Sequence, residues 1–541
     1  MAQRVKARTG GGLVAATLEA AGAEVVFGVP GIHALAIWEG LRTGPIRAVG
    51  LRTELSAGFA ADGYARTSGK PAPLLLSTGP GALISLAALM EAASAHVPVV
   101  AIASQIPRDL IGAGRGFLHE LADQKASFEP VVKWAARAET AAEIPELVAE
   151  GWRRALTPPS GPVFVEIPVD VLAGETDAPV GELDVSPRAL PPPDDEALAE
   201  ASRALAEARQ PVLWAGAGVL RSGAWEELRS LAERLGAPVA TTYMGKGGFP
   251  ADHPLSAGSA CDEPAYRELI AGADVVLAVG TELGAETTGQ YELRLSGRLV
   301  QIDADPRRIG ATYDALGLVG DARVVLAALL ERLPAQVEGS RGEQAAAEVR
   351  GRIENGLEAQ DRGLERGLLG AIRKAVPSQA VTAWDMTILA YWASSHFPAH
   401  EPRTFLYPLG SGTLGYAWPA ALGASLAAAR GPTLAVCGDG GFSYGLAELA
   451  AARQHGLDTV LLLVDDGGYG ILREYQRAQF GETFSVDLEE PDFRAAVEAF
   501  GVPVVSVPPE EVGDALVAAF DRGGPAVVHV PALLEMWTPT P

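Results

Sequence analysis

Runs of Val, Leu and Ala that are apolar at consecutive positions recur along the whole chain, separated by stretches with helical spacing. A strand with one wet face alternates polar and apolar residues, whereas a run that is apolar throughout must be covered on both faces. Parallel strands sandwiched between helices meet that demand. The expected fold class is therefore α/β, built on mainly parallel sheets covered by helices. At about 100 to 200 residues per domain, 541 residues imply roughly three such units.

Two stretches break the rhythm: the Pro-rich, acidic SPRALPPPDDEALAE at 186–200 and the charged EGSRGEQAAAEVRGRIENGLEAQDRGLERG at 338–367. Placing boundaries in or beside them gives domains at 1–183, 190–337 and 368–541. GPVFVEIP near the end of the first is echoed by GPAVVHVP in the third, which suggests one α/β unit used twice around a different middle one. The middle segment has strand signals of its own in PVLWAGAG, DVVLAVG and RLVQIDADP. The glycines Gly216 and Gly218 invite a dinucleotide reading, but a lone GxG lacks the full spaced fingerprint. A packing turn is the competing reading.

A formal charge of −24 opposes binding to nucleic acid or an anionic membrane surface. Two cysteines, Cys261 and Cys437, make no disulfide framework and suit a reducing, cytoplasmic setting as small core residues. The opening MAQRVKARTGGGLVAATLEA reaches Glu19 before a signal-peptide core forms and reads as an amphipathic helix. No apolar run approaches the ~18 to 20 residues that span a bilayer.

The densest chemical signal is TLAVCGDGGFSYGLAELAAARQHGLDTVLLLVDDGGYGIL at 433–472. Two apolar strands each end on an acidic residue beside glycines, at the strand ends where α/β folds bind ligands. Glycine turns let amides approach phosphate, and carboxylate oxygens suit Mg²⁺. Ordinary turns with solvated aspartates are the bland alternative.

That segment resembles the cofactor motif of thiamine-diphosphate enzymes of the acetohydroxyacid synthase, pyruvate decarboxylase and benzoylformate decarboxylase group. By this resemblance Asp439, Asp466 and the carbonyl of Gly468 hold Mg²⁺, and Gly438, Gly440, Gly441, Tyr469 and Gly470 line the cofactor. The chain departs from the family in carrying Asp465-Asp466 where Asn-Asn is usual, so the clamp holds surplus negative charge. LRTELSAGFAADGYAR at 51–66 is similar to the segment whose glutamate contacts the aminopyrimidine, which implies that role for Glu54. Thr53 stands where many relatives have histidine. PLGSGTLGYAWPAALGASLA at 408–427 resembles the pyrimidine cradle and implies Gly412 and Leu414, the latter as a wedge under the bent cofactor. STGPGALISLAALMEAASAHVPVVAIASQ at 77–105 matches the family's first-domain strand, turn and helix.

The resemblance implies decarboxylation of a 2-oxo acid, with carboligation of the resulting enamine to a second carbonyl narrowly preferred over simple release of an aldehyde. A flavin-dependent 2-oxo acid oxidase shares the plan, so FAD is possible without a specific motif. A degenerate binding subunit is the reading outside enzymology, and retention of Glu54, Leu414 and Asp439 argues against it. GFLHELADQKASFEPVVKWA at 116–135 resembles the loop in which synthase-type carboligases carry a catalytic glutamine and decarboxylases often a histidine pair; His119 and Glu120 fall near those positions, with Gln124 slightly beyond. His119 can move a proton, since imidazole titrates near neutrality. His33 and Gln124 are candidate substrate contacts. Relatives share each site between two subunits, which implies a homodimer or homotetramer.

Overall fold

The computed structural model describes residues 8–335, 341–427, 431–489 and 491–540. The basic opening of the expected first helix, the 336–337 end of the expected middle domain and the 338–340 start of the charged boundary lie outside these residues. The first helix is Gly10–Ala20, with Thr9 capping it through a bond accepted from Gly12 N. It is buried around most of its circumference rather than along one face, because it packs between the helices Leu35–Leu41 and Ile144–Leu156.

Three six-stranded sheets form the framework, and every pairing within them is parallel. The first runs Arg47–Gly50, Val25–Gly28, Ala72–Leu76, Val99–Gln105, Val163–Pro168, Trp134–Arg137. The third runs Phe405–Leu406, Thr382–Trp384, Thr433–Gly438, Thr459–Asp465, Ala526–Pro531, Val504–Ser506. Taken in chain order the two sheets have the same strand sequence, 2-1-3-4-6-5. The echoed segments Val163–Pro168 and Ala526–Pro531 hold the same place in each. The middle sheet differs, with order 3-2-1-4-5-6 around Pro211–Ala215 and Val275–Val279.

The central strands are buried on both faces: Ala72–Leu76, Val99–Gln105 and Val275–Val279 at every position. Thr433–Gly438 and Thr459–Asp465 lose burial only at their last residue, where the acidic turns begin. In the first and third domains the helix after the second strand, Glu54–Ser68 and Ala417–Ala424, packs against its counterpart. A Cβ at Gly63 would lie 2.1 Å from Ala420 O, and one at Gly423 1.8 Å from Ala60 O. Only glycine permits this approach, so two backbones meet where side chains would hold them apart.

The charged stretch expected to be a boundary is largely structured. Ala346, Val349, Ile353 and Leu357 form the buried stripe of the helix Gly342–Glu358, which packs on the middle domain's strand Ser256–Gly258 and helix Pro264–Ala271. The next helix, Gly363–Ala375, packs on the third domain's Ile388–His396 and Val512–Arg522. The change of partner falls between 358 and 363, because a narrow apolar stripe is enough to dock a helix whose composition is otherwise charged.

Candidate active site

Thr53 accepts from Ser56 N and caps Glu54–Ser68, so Glu54 occupies the first helical position at the carboxyl edge of the sheet. A threonine cap of this kind is worth about 1 kcal/mol. Glu448, from the third domain, accepts from the amides of Arg52 and Thr53 and fixes the chain entering the helix. The Glu54 carboxylate is half-buried, and burial with no cation beside it raises its pKa above the ordinary value. Gly81 leaves room for it: a Cβ there would lie 2.8 Å from Glu54 Oε1 and 3.1 Å from Ser77 Cβ.

The same cleft receives two imidazoles. His33 follows Gly31, which packs directly on Ser77, and the rings of His33 and His119 are 5.2 Å apart between centroids. Phe117 stacks on His33 at 6.1 Å. Both histidines have a buried Nδ1 with no protein partner. Burial, and then the neighbouring His119, lowers the pKa of His33, which favours a neutral ring. His119 has φ +70, a left-handed conformation that a non-glycine residue adopts only where its surroundings impose it. Glu120 supplies part of that constraint: its carboxylate accepts from the amides of Gly114, Arg115, Gly116 and Phe117 at 2.7, 3.4, 2.7 and 3.0 Å. Glu120 thus closes the loop that presents Phe117 and His119.

Gln124 differs from its expected role at the substrate. It is fully buried; Oε1 accepts from Gly79 N at 2.7 Å, and Nε2 donates to Ser104 O at 3.1 Å and to Glu166 at 3.0 Å. Both ends of the amide are committed to the protein. Through Gly79, which packs on His119, Gln124 supports the histidine from behind.

In the third domain the two acidic turns converge. Oδ1 of Asp439 and Oδ1 of Asp466 are buried without a hydrogen-bond partner. Burial first, then Asp466 and Asp465, pushes the Asp439 carboxyl up to about 7. Two buried carboxylates with orphaned oxygens call for a cation between them, and all-oxygen donors suit a hard one. Gly468 is held by pairing across the turn: Tyr469 N donates to Val486 O and Leu488 N to Gly467 O. Gly440 packs against the Tyr469 ring, and Gly470 against Asp466 Oδ2, where a Cβ would fall at 1.9 Å. Among the described residues no group of three or more His, Cys, Asp or Glu side chains is arranged for a metal.

Gly412, at φ +67, bonds to Pro408 O, and Met386 is the nearest side chain to its missing Cβ. Leu414 follows, partly buried, in the turn that enters Ala417–Ala424. Asp385 organises this region: it accepts from the amides of Met386, Gly415 and Ala417, and its carboxyl, raised by burial to about 6, packs against Gly441. Nothing in the glycine motifs pointed to Asp385 or Glu448, because each acts across elements distant in sequence. Glu54, His33 and His119 form one group and Asp439, Asp466, Gly468, Gly412 and Leu414 another. No hydrogen bond, ion pair or ring contact joins these named residues across the two groups.

At the strand-order reversal of the middle sheet lies a cavity of about 390 Å³ lined by His96, Arg221, Tyr243, Glu282 and Arg308. Gly216 and Gly218 stand beside it, but their amides donate to Val279 O and Gly280 O, and a Cβ on either would strike Gly280. Here these glycines serve the close approach of two loops.

Three family models match the chain in order. They are described as thiamine pyrophosphate enzyme N-terminal TPP binding domain, over 8–127, central domain, over 198–329, and C-terminal TPP binding domain, over 385–530. A Pseudomonas aeruginosa protein named probable 2-ketoarginine decarboxylase is 40% identical over 93% of this chain and 90% of its own length. A probable acetolactate synthase large subunit from Methanocaldococcus jannaschii is 31% identical over 95% of this chain and 90% of that protein. The acetolactate synthase large subunit of Corynebacterium glutamicum is also 31% identical, over 92% and 82%.

Proposed function

From the premise that this chain belongs to the thiamine pyrophosphate enzymes, we propose that it removes CO₂ from a 2-oxo acid and returns a proton to the remaining fragment, releasing an aldehyde. The observation that carries this reading is the pair of imidazoles, His33 and His119, 5.2 Å apart beside Glu54, while the amide of Gln124 is committed elsewhere. When bound, thiamine diphosphate supplies the carbon nucleophile and the electron sink that loss of CO₂ requires.

The chain's own residues do the rest. Glu54, half-buried with its pKa raised, would hydrogen-bond the pyrimidine ring nitrogen. Asp439, Asp466 and the Gly468 carbonyl would hold Mg²⁺ beside the diphosphate. A neutral His33 accepts or passes a proton without adding charge to the cleft, and His119 delivers one to substrate carbon or oxygen. Phe117 covers the pair and limits water. Because no hydrogen bond, ion pair or ring contact joins the named first-domain and third-domain residues, we infer that the working unit is a homo-oligomer that joins them across two chains.

The relative named for 2-ketoarginine suggests a long 2-oxo acid with a cationic end as the first substrate to try, with pyruvate beside it. Mass spectrometry of the products tests the proposal: an aldehyde one CO₂ lighter than the acid supports it. A hydroxy-keto acid from pyruvate as the main product would overturn it in favour of an acetolactate-synthase activity.

A further inference from the structure

Resting on the reading of Asp439 and Asp466 as the Mg²⁺ clamp, we propose that Arg473 is a positioning residue that offsets the surplus charge of Asp466, so that the two side chains replace the family's neutral asparagine as a unit. The paired aspartates at 465–466 looked in sequence like two unanswered charges. Each is answered. Asp465 turns to His529, with Oδ2 3.0 Å from Nε2, and His529 is held in turn by Ser506. Asp466 is met by Arg473, one turn into the helix Gly470–Phe480: Nη2 donates to Asp466 O at 2.8 Å and lies 3.6 Å from Asp466 Oδ1.

The arrangement leaves the clamp usable. At 3.6 Å the guanidinium neutralises Asp466 without bonding to its Oδ1, which stays buried and unpartnered alongside Oδ1 of Asp439. The guanidinium is 10% exposed and the Asp466 side chain 12%, so water screens the pair poorly. Nε of Arg473 pairs with Asp487 at 2.7 Å, but that carboxylate is 69% exposed and faces solvent. Gly468 completes the geometry, since a Cβ there would fall 2.6 Å from Arg473 Nη2 and 2.3 Å from Val486 O. The glycine that offers its carbonyl to the metal is also the one that lets the arginine reach Asp466.

The consequence reverses the simplest expectation from sequence, that Asp466→Asn alone would restore an ordinary site. With Arg473 in place the asparagine leaves the guanidinium only the exposed Asp487 as counter-charge, and with Arg473 removed the aspartate leaves an uncompensated anion facing the diphosphate. The pair is conserved or lost together in its effect, which a double-mutant cycle measures. Calorimetric titration of thiamine diphosphate at saturating Mg²⁺, together with thermal melting of the cofactor-free protein, would be run on wild type, Asp466→Asn, Arg473→Met and the double variant. Arg473→Met is expected to weaken diphosphate binding at least about tenfold and to lower the melting temperature of the cofactor-free protein, with both recovering to within about threefold of wild-type binding, and most of the melting shift, in the double variant. If the double variant binds as weakly as Arg473→Met, or fails to fold, Arg473 is a loop staple and the proposal is overturned. Unchanged binding in Arg473→Met overturns it too. Absence of binding in wild type would instead remove the clamp reading on which it rests, while the melting series would still report the apo-state coupling.

Discussion

Glu54 and the two histidines are separable by what their replacement spares. Glu54→Gln preserves volume and the cap at Thr53, so the fold and cofactor affinity are expected to hold while turnover falls by orders of magnitude, the amide being unable to carry the charge the pyrimidine requires. Retention of more than about a tenth of wild-type turnover, under ~1.4 kcal/mol in barrier, would remove Glu54 from catalysis. His119→Ala is expected to slow protonation of the fragment left after loss of CO₂ by about 10²- to 10⁴-fold, the usual span of general acid–base catalysis, with unchanged thiamine diphosphate affinity. Because Glu120, not His119, ties the loop through four amides, the melting temperature should hardly move. A lower melting temperature with full turnover per folded molecule would make His119 a structural residue.

Among the elements, the helix pair Glu54–Ser68 and Ala417–Ala424 couples the two halves of the chain at backbone distance. Gly423→Val would drive side-chain atoms into Ala60 O, already 1.8 Å from an ideal Cβ, and is expected to destabilise by at least about 1 to 3 kcal/mol, the range for overpacking. Denaturant unfolding checks this, and an unchanged midpoint would show that the helices can part at little cost. Much of this level was legible in the sequence. Consecutive apolar runs disclosed parallel strands, the echo of GPVFVEIP in GPAVVHVP disclosed the repeated topology, and the glycine-acid turns disclosed Asp439 and Asp466. What stayed hidden involves groups brought together by tertiary folding. Gln124 and Glu120 drew notice because the loop resembles the family's catalytic loop, yet one is bonded to Gly79 and Glu166 and the other to its own loop. Arg473 carries no motif, and its meaning appears only when a helical turn lays it over Asp466. The helix Gly342–Glu358 was masked by its charge, since five buried positions among seventeen are too few to shift a composition.

At the scale of the whole molecule, both the first-domain cleft and the third-domain clamp have exposed apolar side chains around them. Ile32, Leu35, Ile84 and Leu118 stand exposed near the first-domain cleft, and Tyr444, Leu472, Tyr475 and Phe480 near the third-domain clamp. Exposed large side chains gathered around polar machinery mark surfaces that pair. If the cleft of one chain meets the clamp of another, two separately inactive variants can repair each other. In a mixed dimer of Glu54→Gln and Asp439→Ala chains, one site carries both substitutions and the other carries neither. Co-expression with random pairing makes half the dimers mixed, so roughly a quarter of all sites should be intact and activity should return to about that fraction of wild type. Neither variant alone should exceed background. If each chain completes its own site, every site in the mixture keeps one defect and the activity stays at background, which would place Glu54 and Asp439 on the same chain's cofactor.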